Sequence, residues 1–135
     1  MGKVLFSIFL LLMVISSCSP KDEYMERVQG VVKYLHEQHK YSTRECMSVY
    51  LMEVKKCNVC NLENMHRISS EKPHQKVVFI LSGSNDSILH FVNKTFPGRE
   101  IFIDSNMVLP RYGLSFMRNL KADICDDEVK SYKFY

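Results

Sequence analysis

At 135 residues the chain has the length of one domain, and its formal charge of +3 is small. From Ser19 onward seventeen basic and fifteen acidic side chains are interspersed without a basic block. That spread argues against a nucleic-acid partner, which takes a concentrated basic stripe to bind.

The first residues read as a targeting segment. Met1-Gly2-Lys3 is a short basic start, and Val4 to Ile15 is almost unbroken apolar sequence before Ser16-Ser17-Cys18. The apolar run falls short of the roughly 20 residues that span a bilayer but suits the core of a secretory signal. Ile15-Ser16-Ser17-Cys18 resembles a bacterial lipobox, in which the cysteine is lipidated and becomes the new N-terminus. The alternative is an ordinary signal cleaved near the serines. The polar stretch Ser19-Pro20-Lys21-Asp22-Glu23, a tether of the kind that holds a domain off a membrane, favours the lipoprotein. The expected organisation is therefore a signal over 1–18, a tether over 19–23 and one domain over 24–135, of roughly 110 residues and with a modest core. Lipidation of Cys18 leaves Cys46, Cys57, Cys60 and Cys125, an even count that permits disulfides in an exported domain.

Tyr24 to His39 reads as one amphipathic helix, with Met25, Val28, Val31 and Leu35 at steps of three or four and Gly30 as its weak point. Met47 to Val54 is a strand apolar on both faces, as in the middle of a sheet. Asn61 to Ser69 reads as a helix, Lys76 to Leu81 as a second buried strand. Ser84-Asn85-Asp86 offers caps for a helix carrying Ile88, Leu89, Phe91, Val92 and Phe96, which Pro97-Gly98 stops. Glu100 to Asp104 is a third strand. This alternation predicts an α/β fold with neighbouring strands parallel. Beyond Pro110 the pattern fades: Leu114 to Met117 fits a strand or a helical turn, and Lys130 to Tyr135 alternates like a strand.

The chemistry centres on Cys57-Asn58-Val59-Cys60, placed between a strand and a helix. A thiol at the start of a helix lies near the positive end of its dipole and beside orphan N–H groups, which favours the thiolate. Lys55 and Lys56 add positive charge. Cys60, three residues on, lies on the same helical face and can close a small ring. Three chemistries fit the spacing: a working dithiol/disulfide pair, a disulfide formed once and never exchanged, and half of a zinc site. Zinc lacks an obvious second pair of ligands. Cys46 lies eleven residues before Cys57, at the far end of the strand if that span is extended, and His66 reads as a surface residue.

The order of parts resembles a thioredoxin-like domain: a buried strand running into Cys-x-x-Cys at a helix start, then strand, helix and strand. Ile101-Phe102-Ile103-Asp104 followed by Tyr112-Gly113-Leu114 resembles the membrane-anchored branch of these oxidoreductases. With the lipobox, the whole resembles the small thioredoxin-like lipoproteins of Bacteroidetes-type bacteria, over about Met47 to Leu114. The resemblance implies a central mixed sheet flanked by helices in a bacterial cell envelope, periplasmic or surface-facing. It implies thiol–disulfide exchange on exported proteins, with Cys57 attacking and Cys60 resolving, no bound cofactor and a separate redox partner. The chain departs from the family in three places. Lys56 stands where tryptophan usually precedes the first cysteine. No proline follows Pro110, although active members carry a cis-proline after tyrosine-glycine. The twenty-one residues after Leu114 leave little room for the family's final hairpin and helix. The rival reading is a redox-inert lipoprotein that keeps the fold as a binding or structural module.

Four further residues are candidates. Cys46 and Cys125 either pair, stapling the C-terminal segment to the first strand, or remain buried free thiols. Asp104 either assists proton transfer to a buried cysteine or caps a turn. Glu53 either accepts a proton near Cys60 or pairs with a lysine. The sequons at Asn85 and Asn93 would hold glycans only in a eukaryotic secreted protein.

Overall fold

The structure, a computed structural model, describes residues 22–54, 58–115 and 118–135, without the side chains of 58–61. Asp22 opens the domain by capping α1 (Glu23–Val28), its carboxylate accepting from the backbone N–H groups of Tyr24 and Met25. The helix α2 (Gly30–His39) comes directly after Gln29. Where one helix is expected over 24–39 there are two, separated by Gln29 alone, and the second begins at a close packing contact of Gly30. A Cβ there would lie 2.0 Å from the carbonyl oxygen of Tyr112, so the missing side chain admits that backbone. Gln29 between the two helices keeps right-handed helical dihedrals (φ −57°, ψ −21°), and its N–H donates to Met25 O.

The strand β1 (Met47–Met52) is buried at all six positions and shorter than the predicted Met47–Val54. After it come α3 (Asn58–Ser70), β2 (Lys76–Leu81), α4 (Asp86–Thr95) and β3 (Glu100–Ile103). The helix α3 starts three residues before the predicted Asn61. The sheet order is β3-β2-β1, with both pairings parallel, and then β4 (Leu120–Cys125) and β5 (Glu128–Phe134) are added antiparallel on the other side of β1. This is the central mixed sheet flanked by helices that the sequence predicts.

The C-terminal hairpin corrects two expectations. It fits within the residues after Leu114, and its first strand, β4, has no counterpart among the predicted elements. Leu114 and Ser115 belong to neither a strand nor a helix; they come after a single 3₁₀ turn, Leu109–Tyr112, which ends at Gly113 in the left-handed region.

The sheet is sandwiched. Met47, Val49 and Leu51 of β1 pack with Val78, Ile80, Ala122 and Ile124 beneath the helices α1 and α2, whose Val28, Val31, Tyr34 and Leu35 close that side. Tyr50 and Met52 face the other way, with Phe79 and Leu81, against Met65 and Ile68 of α3 and Ile88, Val92 and Phe96 beside α4. The period of two along a strand thus assigns alternate residues to two separate cores.

A polar clasp closes the second side. Glu71, just past α3, accepts from Lys133 Nζ and from the Tyr135 hydroxyl, each at 2.8 Å, and lies 3.6 Å from Lys121. Burial alone raises its carboxyl, but the hydrogen bonds from Lys133 and Tyr135 and the two lysine charges outweigh it and hold Glu71 below its ordinary 4.5. The same burial and the Glu71 carboxylate push the Tyr135 phenol up.

Gly30→Ala forces the Tyr112 backbone away and should cost about 1–3 kcal/mol, read as a lower urea midpoint. The clasp is tested by pH. Because the folded state lowers the Glu71 pKa, its stabilisation is full above pH 4.5 and disappears as pH falls through the lowered value. Glu71→Gln should therefore lose about 1–2 kcal/mol near neutrality, and the gap to the parent should narrow in acid; a gap independent of pH would refute the assignment.

Candidate functional site

The strands β1, β2 and β3 are parallel and end at one edge of the sheet, where Glu53, Ser82 and Asp104 immediately follow them. The carboxyl ends of parallel strands are where α/β sheets commonly place their sites. Ser82 ties the first two ends together. Its N–H donates to Met52 O at 3.0 Å, its hydroxyl accepts from Val54 N–H at 3.0 Å, and the same hydroxyl donates to Glu53 Oε1 at 2.9 Å. The Glu53 N–H donates to Asn119 Oδ1 at 2.8 Å, and the Asn119 carbonyl accepts from Tyr135 N–H at 2.9 Å. Asn119 is buried and so joins the ends of β1 and β5 just before β4 begins.

Asp104 acts as a turn cap. Its two carboxylate oxygens accept from Val108 N–H and Leu109 N–H, each at 3.0 Å, and its own N–H donates to Leu81 O. Both oxygens thus start the 3₁₀ turn, a satisfied role for a buried carboxylate. Its charge is also felt at Tyr34, whose phenol is pushed up by burial first and then by Asp104 and Tyr112. Glu53 is half-buried, and its carboxylate takes a hydroxyl partner, Ser82, in place of the expected lysine.

A crevice of about 80 Å³ runs along this edge, lined by Glu53, Ser82, Asp104, Met107, Leu114 and Ser115 among others. Beside it, a hollow of about 10 Å³ is lined by Leu51, Glu53, Ser82 and Arg118. The helix α3 starts at this same edge, after the end of β1. Cys60 is its third residue, though the Cys60 side chain is outside the described part of the molecule. Cys57, Lys55 and Lys56 lie outside the described residues, as does Cys18.

Cys46 and Cys125 are at the opposite edge and form a disulfide. The antiparallel register, with Met47 opposite Ile124, puts them directly across from each other one step further along. The turn beside them is held from several directions. Asp126 N–H donates to Arg44 O and Asp127 N–H to Thr43 O, each at 3.1 Å, while the Thr43 hydroxyl donates to Asp127 Oδ1 at 2.8 Å. Gln29 reaches in from the helical layer, donating to Asp127 O and accepting from Val129 N–H. Bound to Cys125, Cys46 is not available to join the Cys57–Cys60 pair, and about 20 Å of strand separates it from that end of the sheet.

No protein-family model matches the chain, and no curated protein sequence does either. Among solved structures it is similar to a secreted disulfide oxidoreductase of Mycobacterium tuberculosis homologous to E. coli DsbE, at 14% identity and a TM-score of 0.49, over 69% of this chain and 71% of that one.

Ser82 and Asn119 are site residues that sequence reasoning misses. Ser82 reads only as the end of a strand, and nothing in the pattern singles out Asn119. Both are recruited by backbone N–H groups at the end of β1, a tertiary circumstance.

Removing the disulfide gives a direct measure of what the opposite edge contributes. Its cysteines are 79 residues apart, a loop whose closure in the unfolded chain is worth about 4 kcal/mol in the chain-entropy account. Cys46→Ser with Cys125→Ser should lower stability by about that much, read by urea titration against the oxidised parent.

Proposed function

We propose that this chain is a lipid-anchored, extracytoplasmic thiol–disulfide oxidoreductase that works through Cys57 and Cys60. The observation carrying this reading is the start of α3: a helix beginning within the Cys-x-x-Cys sequence, directly after the buried central strand of a mixed α/β sheet. A thiol at the start of a helix is favoured as thiolate by the backbone N–H groups and the dipole end there, which suits Cys57 as the attacking residue and Cys60, third in α3, as the resolving one. The anchor reading rests on the lipobox sequence ending at Cys18.

In the reducing direction the Cys57 thiolate attacks one sulfur of an exported protein's disulfide. One substrate sulfur leaves as thiolate and a mixed disulfide forms. The Cys60 thiolate then attacks Cys57 Sγ and releases the second substrate sulfur, so that a substrate disulfide becomes a dithiol and this chain's dithiol a disulfide. Two electrons and two protons move, and a dithiol redox partner restores the starting state. Glu53, held by Ser82 at the end of β1, is the carboxylate on this edge suited to take the proton of the resolving thiol. A non-catalytic module is the second reading. It is favoured by Asn119, which occupies the backbone N–H of Glu53 beside the crevice.

The test is the reduction potential of the Cys57–Cys60 pair in the chain carrying Cys18→Ser, followed by peptide-resolved alkylation so that Cys46–Cys125 is counted separately. A midpoint between about −120 and −270 mV with rapid alkylation of Cys57 is expected, with Cys60→Ser as the control. A pair still oxidised below roughly −300 mV behaves as a structural disulfide, and the enzymatic reading then fails.

A further inference from the structure

The described residues expose three large hydrophobic side chains, Tyr24 at 51%, Leu62 at 39% and Met107 at 63%. Single exposed apolar residues are ordinary, but these three share one end of the molecule. Met107 lines the crevice with Glu53 and Ser82, the residues that come after β1 and β2. Leu62, in the second turn of α3, borders a surface hollow that runs along α4 from Asp86 and Ser87, its first residues, past His90 and Phe91 to Lys94. The Tyr24 ring packs edge-on against Phe134, 5.8 Å away, and Phe134 is opposite Leu120, which is opposite Leu51 near the end of β1. Among the described residues the other end of the sheet has no exposed large hydrophobic side chain; it carries the Arg44 and Glu45 side chains, more than three-quarters exposed (83% and 80%), and the Asp126–Asp127 turn between the hairpin strands.

The attachment point favours the apolar end. Asp22 caps the helix that carries Tyr24, and only Ser19, Pro20 and Lys21 separate it from Cys18. Asp22 and Glu23, expected in the tether, instead cap and begin α1. The connection that is left reaches about 14 Å when fully extended, too short to hold the domain off the surface to which Cys18 would be fastened, the role the sequence predicts for it.

We propose that the end of the sheet bearing Tyr24, Leu62 and Met107 rests on the surface of the bilayer that anchors the chain. The inference rests on the lipid-anchor reading of Cys18 and is independent of whether Cys57 and Cys60 exchange disulfides. Tyrosine suits the interface, with its ring in the apolar zone and its hydroxyl among headgroups. The exposed Arg118 on this edge attracts anionic lipid. Glu63, an acidic residue of the same helix end, is paired with Arg67 at 3.2 Å. Each contact is weak, but the anchor makes docking intramolecular, so modest contacts suffice. The start of α3 then faces the membrane, and exchange would be confined to partners at that surface.

The chain contains no tryptophan, so a single introduced one reports its own surroundings. Full-length Leu62→Trp, Met107→Trp and Arg44→Trp variants, made in a lipidating bacterial host, would be reconstituted into phosphatidylethanolamine/phosphatidylglycerol vesicles with brominated acyl chains. Flotation first establishes the anchor. The expected result is that the tryptophans at 62 and 107 lose most of their fluorescence relative to unbrominated vesicles, while that at 44 keeps it. Chains that float with 62 and 107 unquenched, or with 44 quenched equally, overturn the docking and leave the anchor standing. Chains that do not float overturn the anchor, and the docking with it.

Discussion

The fold depends on the burial of β1. All six of its residues are inside, and both of its edges are bonded, one to a parallel and one to an antiparallel neighbour. Met47, Val49 and Leu51 serve one core and Tyr50 and Met52 the other. At roughly 1.5–3 kcal/mol per large apolar side chain buried, this strand alone gathers about 10 kcal/mol of favourable transfer, comparable to the net stability of a whole domain. Ser48 is the polar exception. Its hydroxyl donates to Asp123 on β4 at 2.7 Å and accepts from Gln75, so burying it leaves no orphan. A strand held on four sides has no freedom of register, and it aims the chain at both of its ends.

Those two ends are chemically different. At the amino end of β1, Cys46 is bonded to Cys125 and the neighbouring turn is fastened by Arg44, Thr43, Asp127 and Gln29. At the carboxyl end the strand opens into Glu53, a crevice and the start of α3. The Cys46–Cys125 disulfide therefore sits where the chain is cross-braced, at the end of β1 opposite the one after which α3 starts. The length of the strand keeps the disulfide away from the start of α3.

Much of this is legible in the sequence because burial on both faces writes continuous apolar runs, as in Met47 to Met52 and Lys76 to Leu81. The strand β4 is not, although Leu120, Ala122 and Ile124 are buried and Lys121, Asp123 and Cys125 only partly so. Alanine and aspartate are poor strand formers, and the turn after it is Asp126-Asp127, both with positive φ (54° and 60°), where a hairpin of this type usually announces itself with glycine. The break between α1 and α2 is similarly hidden. Gly30 reads as a weak spot in one helix, whereas its function is to admit the Tyr112 backbone from more than eighty residues away. The spacing of Cys57 and Cys60 needs no such distant partner, which is why it stands out. The hydrogen bonds that shape the edge beside them do need one.

Asn119 fixes the segment that comes before β4. Its amide oxygen takes the Glu53 N–H, and its carbonyl takes the Tyr135 N–H. One buried residue therefore binds the ends of β1 and β5 to the start of β4. Tyr135 in turn donates its hydroxyl to Glu71, just past the end of α3. The strand that leads toward Cys57 and the helix that contains Cys60 are thereby linked through the C-terminal hairpin. The hairpin accordingly does more than add two strands: it braces both elements that would have to hold the pair in register.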